Sequence, residues 1–266
     1  MYSGAFKSPS GPTRSQWQGD EHNEIHLGFS RDGFSLHRPS PLESTGAPVP
    51  LAPLRPSGEA PPWRTAFIPQ NDYPGAQGFT YGNVQAVAGG FMVLGDRLRF
   101  FFSARSGSLG GDVGNLTCVT MVAHLRRDGF AHLGVSAPAS SSGWLLTRPL
   151  SYLPRRPPWD ARGLWLNVNA SADGAALRIE VLRGGAVVGR SEAVTGVDST
   201  KLQARWAGDD PMPRLSGGAP FRLRVSFTGG AELYAFWISS DGCGSSGGAV
   251  AAGGPGYAMG ADRLCS

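Results

Sequence analysis

Apolar and polar residues alternate with a period of two along most of this chain, in short runs broken by glycine, proline or aspartate. That rhythm predicts β-strands joined by tight turns rather than helices. From Asn83 to Arg105 it reads strand, turn, strand, turn, strand, with Gly89-Gly90 and Gly95-Asp96 as the turns. A further strand runs into a hairpin turn at Arg127-Asp128-Gly129, and four antiparallel strands in succession make one blade of a β-propeller. The stretch Ile25-His-Leu-Gly-Phe-Ser-Arg-Asp-Gly-Phe is echoed by Val122-Ala-His-Leu-Arg-Arg-Asp-Gly-Phe, 96 residues later. Asp-Gly suits a two-residue hairpin turn because both residues tolerate positive φ, so Asp32 and Asp128 read as turn formers. The first copy then reads as the outer hairpin of a preceding blade, for whose inner strands residues 1–24 offer no good candidates.

From about Trp144 the strands lengthen and the alternation becomes cleaner: Gly163 to Asn169, Ala176 to Leu182, Lys201 to Trp206, Phe221 to Phe227 and Glu232 to Ile238. Within Phe221 to Phe227 the apolar residues fall on one face and Arg222, Arg224 and Ser226 on the other, which is the pattern of a β-sandwich with one buried and one wet face. The predicted fold class is therefore all-β. A partial β-propeller of about one and a half blades, residues 24–140 with a Pro-rich loop at 39–62, is followed by a β-sandwich, residues 144–240. Residues 1–23 and the Gly/Ser/Ala-rich tail 241–266 have little to bury and are expected to be disordered.

Composition agrees with many turns: 39 glycines and 21 prolines accompany only 17% charged residues. No run approaches the roughly 18 apolar residues of a membrane-spanning helix, so no membrane partner is expected. Residues 1–19 never develop the apolar core of a secretory signal; as written the chain starts in the cytoplasm, and its final compartment is left open. The triplets beginning at Asn115 and Asn169 matter only in a secreted chain. The net charge is +4, but the arginines are scattered and the lysines are only Lys7 and Lys201, which does not build a phosphate-tracking stripe, so nucleic acid is set aside. Cys118, Cys243 and Cys265 have no metal-ligand spacing, and no metal or cofactor is implied; Cys243 and Cys265 can pair if oxidised. The glycines at 107, 110, 111 and 114 lack the Lys-Ser and the helix of a phosphate loop, and Ser30 lies in a hairpin with the wrong spacing for a nucleophile elbow.

In this order, Phe29-Ser-Arg-Asp-Gly-Phe, Gly82-Asn-Val-Gln, Val93 to Arg105, Leu125-Arg-Arg-Asp-Gly-Phe, Leu146-Thr-Arg-Pro-Leu, Leu164 to Asn169, Leu177-Arg-Ile-Glu-Val, Phe221 to Phe227 and Leu233-Tyr-Ala-Phe resemble proteins related to glycoside hydrolase families 32 and 43. The resemblance covers about Glu24 to Ser239 and is to an uncharacterised branch. It implies a five-bladed propeller with a C-terminal sandwich and an activity on carbohydrate. Glycosidic cleavage needs two carboxyl groups flanking the scissile bond, and the resemblance places these on inner strands of early blades that precede this chain. The acids before residue 140, among them Glu21, Glu24, Glu43, Glu59, Asp96 and Asp112, fall mostly in turns or the Pro-rich loop, so no catalytic residue is assigned.

Asp72, just ahead of an inner strand, Tyr81 and Asn83 at its entry, and Arg105 at the end of a following strand are the candidate substrate-binding residues. Three functions remain open. The chain is a truncated relative of a glycoside hydrolase and inactive alone; or a piece of a competent hydrolase; or a non-catalytic carbohydrate-binding or protein-interaction module. In the last case exposed members of Trp144, Trp159, Trp165, Trp206 and Trp237 would stack on sugars, although their strand alternation places most in the core. The open edges of an incomplete propeller also predict a protein partner or self-association.

Overall fold

The computed structural model describes residues 2–6, 22–28, 30, 34–35, 67–68, 81–106, 118–135, 142–153 and 160–246, with the backbone alone for 2–6, 22–24, 26, 81–89 and 105–106. The described residues form an all-β protein of three sheets. The chain divides into two compact units, residues 1–91 with 100–123, and residues 92–99 with 124–266.

The first sheet has the order β1 (Tyr2–Phe6), β2 (His22–His26), β3 (Tyr81–Leu94), β4 (Arg97–Ser106), β5 (Cys118–Arg126). Its neighbours run antiparallel except β2 and β3, which meet in parallel at Asn23 and Asn83. In the first unit Ile25, Ile68, Phe102 and Ala104 are buried together, with Phe67, Val119, Met121 and Ala123 packed on them. The ring of Phe100 meets Phe67 edge-on at 5.7 Å.

Two sequence expectations are corrected here. Gly89-Gly90 is not a turn: β3 runs straight through it, with Gly90 at φ +81 inside the strand. A glycine in the left-handed region lets a strand bend without reversing; the reversal comes at Gly95-Asp96 alone, so this segment supplies three strands rather than four. Residues 1–23 also contain β1 and the start of β2, where neither local sequence is rich in β-formers. Their pairing from Tyr2 with His26 to Phe6 with His22 provides what propensity does not.

The second unit holds two four-stranded sheets. One has the order β10 (Ala186–Arg190), β9 (Ala176–Arg183), β12 (Arg222–Thr228), β7 (Ser142–Leu146); the other β11 (Val197–Gln203), β8 (Gly163–Ala170), β13 (Glu232–Ser239), β6 (Leu133–Gly134). Leu177, Ile179, Val181, Leu223, Val225 and Phe227 from the first of these join Leu164, Leu166, Val168 and Leu233 from the second in one hydrophobic core. Burying each such side chain contributes roughly 1.5–3 kcal/mol. Met212 and Leu215, on the 3-10 turn Met212–Leu215, are fully buried in the same core. Gly229, at φ +60, closes the turn between β12 and β13, and a Cβ there would run into the carbonyl of Gly174.

β8 is buried on both faces, so its outer side needs a cover. Asn167, fully buried, accepts from Arg126 Nε at 2.6 Å and donates to the Arg127 carbonyl at 2.6 Å. Arg126 also donates to the Val168 carbonyl at 3.0 Å, pairs with Asp198, and lies over the Tyr234 ring at 4.7 Å. Arg127 N donates to the Asp96 carbonyl at 2.8 Å, and Thr200 Oγ1 donates to the Asp96 carboxylate. Asp128 does turn the chain, at φ +51, as expected. The turn does not close a hairpin, however: the strand after it, β6, pairs with β13. Further along β8, Gly244 sits against Trp165, and the Gly244 carbonyl accepts from Trp237 Nε1 at 2.9 Å. Asp241 holds that loop by accepting from Ser239, Cys243 N and Ser245 N, at 3.0, 3.0 and 3.1 Å. Residues 241–246 are thus packed rather than the start of a disordered tail, and Cys243 is disulfide-bonded.

Replacing Asn167 with alanine strands the Arg127 carbonyl and one Arg126 donor in a dry site, and is expected to lower unfolding free energy by about 2–3 kcal/mol in urea titration. Burial first, then the hydrogen bond and charge of Glu232, push the Tyr234 phenol up to about 12. A raised value stabilises the fold below the ordinary 10 and loses that contribution as pH climbs from 10 through about 12. In an ultraviolet titration Tyr234→Phe should therefore remove a phenol that ionises well above 10.

Candidate functional site

The strand register sets what stands on the outer face of the sheet β10-β9-β12-β7. Arg190 pairs with Glu180, Glu180 with Arg224, and Arg224 with Leu146, forming one row across four strands. In the next row Arg178 pairs with Ser226 and Ser226 with Trp144. The inward alternates, Leu177, Ile179, Val181, Leu223, Val225 and Phe227, fill the core, which forces these rows outward. The small Ser226 between a long arginine and a tryptophan leaves a notch.

That notch is a cleft of about 330 Å³ lined by Trp144, Arg178, Ile179, Glu180, Arg190, Ser191, Arg224 and Ser226. The volume lies at the lower end of the roughly 300–1,000 Å³ typical of small-molecule sites. Trp144 is 69% exposed at its edge. A tryptophan that open on a strand is a stacking surface rather than core.

Glu180 organises the floor. Arg190 Nε donates to Oε1 at 2.8 Å, and Arg224 bonds Oε2 through Nε and Nη2. Burial works to raise the Glu180 carboxyl, but the hydrogen bonds and charges of Arg224 and Arg190 outweigh it and hold the group below its ordinary value. Glu180 is therefore an ionised anchor. It uses both oxygens on the two arginines and leaves their outer N–H groups turned to solvent. Arg178 is exposed and has no salt-bridge partner among the described residues.

The residues singled out in the sequence lie elsewhere. Asp72 is outside the described residues. Tyr81 and Asn83 open β3, and Arg105 is near the end of β4. Antiparallel neighbours joined by the Gly95-Asp96 turn put these three backbone positions towards the same end of the sheet, in the first unit. Of the tryptophans, Trp165 and Trp237 are buried as their alternation suggested, Trp206 is half-buried, and Trp159 is outside the described residues. Trp144 is the exception. The signal for the cleft was partly present: Arg178 and Glu180 alternate with apolar residues just as Arg222, Arg224 and Ser226 do. What was missing is that β12 lies between β9 and β7.

Among the described residues no three His, Cys, Asp or Glu side chains come together to hold a metal. No family model, no curated protein and no solved structure matches the chain.

Glu180→Gln should destabilise the protein by about 1–2 kcal/mol at neutral pH, since two guanidinium groups lose a shared anion. A lowered carboxyl value gives stability that is present above 4.5 and lost as pH falls through the lower folded value. The gap between the parent and Glu180→Gln in chemical denaturation should accordingly close in acid.

Proposed function

We propose that this chain is a relative of the glycoside hydrolases of families 32 and 43 whose C-terminal β-sandwich binds carbohydrate, without cleaving it, on the outer face of β10-β9-β12-β7. The observation that carries this reading is Trp144, 69% exposed beside a cleft of about 330 Å³ whose lining includes the hydrogen-bonding side chains of Arg178, Glu180, Arg190, Arg224 and Ser226. An open aromatic ring next to fixed polar groups suits a sugar, which offers an apolar ring face and a rim of hydroxyls. The order of motifs from Phe29 to Phe236 supports the kinship, with β3, β4 and β5 as the remnant of a propeller blade and the two four-stranded sheets as the sandwich.

The cleft's own carboxylate supports binding rather than hydrolysis at this face. Acid-base cleavage of a glycoside needs two carboxyl groups, one of them held protonated by a raised pKa. Glu180 is the one carboxylate lining this cleft, its value is shifted down, and both its oxygens are engaged by arginine. It cannot deliver a proton to a leaving oxygen at neutral pH.

Isothermal titration of the full chain against a panel of oligosaccharides tests the proposal. Binding by at least one of them should weaken tenfold or more in Trp144→Ala, a loss of about 1.4 kcal/mol or greater, while no reducing ends are released on long incubation. Release of sugar by the chain alone, or affinity indifferent to Trp144, would sink it.

A further inference from the structure

We infer that the saccharide held by this face is anionic: an oligosaccharide carrying carboxylate groups, that is, one containing uronic acid residues. The inference rests on the carbohydrate-binding reading above and specifies its ligand. The charge of the face is what points there. Arg178, Arg190, Arg222 and Arg224 stand on the outer sides of β9, β10 and β12, against the single carboxylate of Glu180 among the lining residues. Glu180 neutralises one of these charges and aligns two of the guanidinium groups, and the remainder is a positive surface with nothing from the chain to balance it among the described residues. A neutral sugar would leave it so.

The arrangement is also directional. Arg178 and Trp144 flank Ser226 on either neighbouring strand, so their backbones stand about 10 Å apart, twice the interstrand spacing. A pyranose resting on the Trp144 ring spans the exposed Ser226 and presents a ring substituent to Arg178. Guanidinium forks match planar carboxylates bidentately, and this cleft already holds one carboxylate, that of Glu180, between two of them. Arg222, two residues from Arg224 on the same side of β12, extends the positive track along the strand for a second acidic residue of a chain. The requirement for both a ring and a charge separates this ligand from an acidic peptide, which would use the arginines and ignore Trp144.

Isothermal titration of the full chain would compare oligogalacturonate and hyaluronan oligosaccharides with their carboxyl-reduced counterparts, which keep the rings and lose the charge, and with polyglutamate. At least one acidic saccharide is expected to bind tenfold or more tightly than its reduced form, with affinity falling as salt is raised. Arg178→Ala should weaken it about tenfold and Arg178→Lys less, whereas Arg162→Ala, just ahead of β8 of the other sheet, leaves it unchanged; circular dichroism checks that each variant is folded. Equal affinity for reduced and acidic forms, with Trp144 still required, would overturn the anionic assignment and leave the carbohydrate reading standing. Binding of polyglutamate that survives Trp144→Ala, with no saccharide bound, would overturn both.

Discussion

An amide buried in the middle of a strand must have both its carbonyl and its NH2 group satisfied, and the second unit is arranged around that demand at Asn167. Its side chain projects away from the shared core, on the outer side of β8, where the backbone of the sheet cannot serve it. The partners come from Arg126 and Arg127, at the end of β5 and the start of the Asp-Gly turn. Once Arg126 is in place its charge needs company, which Asp198 and the Tyr234 ring provide. The turn is held, β6 is delivered to the edge of β13, and the outer face of that sheet is closed over. The loop at 241–245 completes the closure over Trp165. One polar residue thus commits a whole sheet face to structure.

Among the described residues the opposite sheet has no such cover in its cleft, and the two outer faces differ in what their polar side chains bond to. On β8 and β13 the polar side chains bond to the chain itself. On β9, β10 and β12 one carboxylate bonds two arginines and the other donors face outward. An arginine tethered through Nε has lost much of its rotamer freedom already, so a ligand meeting it gives up less entropy on binding. Glu180 is therefore better understood as an organiser of positive charge than as an acid.

How much of this was legible in the sequence follows the range of the interactions. The alternation of Arg178 and Glu180 with Leu177, Ile179 and Val181 is local, and it marked β9 as a strand with one wet face; the same holds for β12. Asp128 was legible as a turn for the same reason. The cleft was not, because it depends on β12 lying between strands 44 and 78 residues away, measured from Arg224 to Glu180 and from Arg224 to Leu146. Trp144 is followed by Leu145 and Leu146, and three apolar residues in a row do not say which faces in. The pair Gly89-Gly90 misled because two glycines satisfy a turn and an extended bend equally; the choice was made by Asp96, whose carbonyl and carboxylate are both held by distant residues. Asn167 and Arg126 are 41 residues apart, and nothing in either strand announces the other.

The two properties of the cleft that bear on function have one origin. Hydrolysis needs a carboxyl group that can hold a proton at neutral pH, and recognition of an anion needs guanidinium groups fixed with their donors outward. Placing Glu180 between Arg190 and Arg224 satisfies the second need by means that defeat the first: the bonds that orient the arginines are the bonds that lower the carboxyl's proton affinity. Separating the roles would require a second acid in an apolar setting, and the rows on either side of Glu180 hold Arg178, Ser226 and Trp144 on one side and Leu182 with Arg222 on the other. On the carbohydrate-binding reading proposed above, a surface built this way would grip a charged sugar and leave its bonds intact.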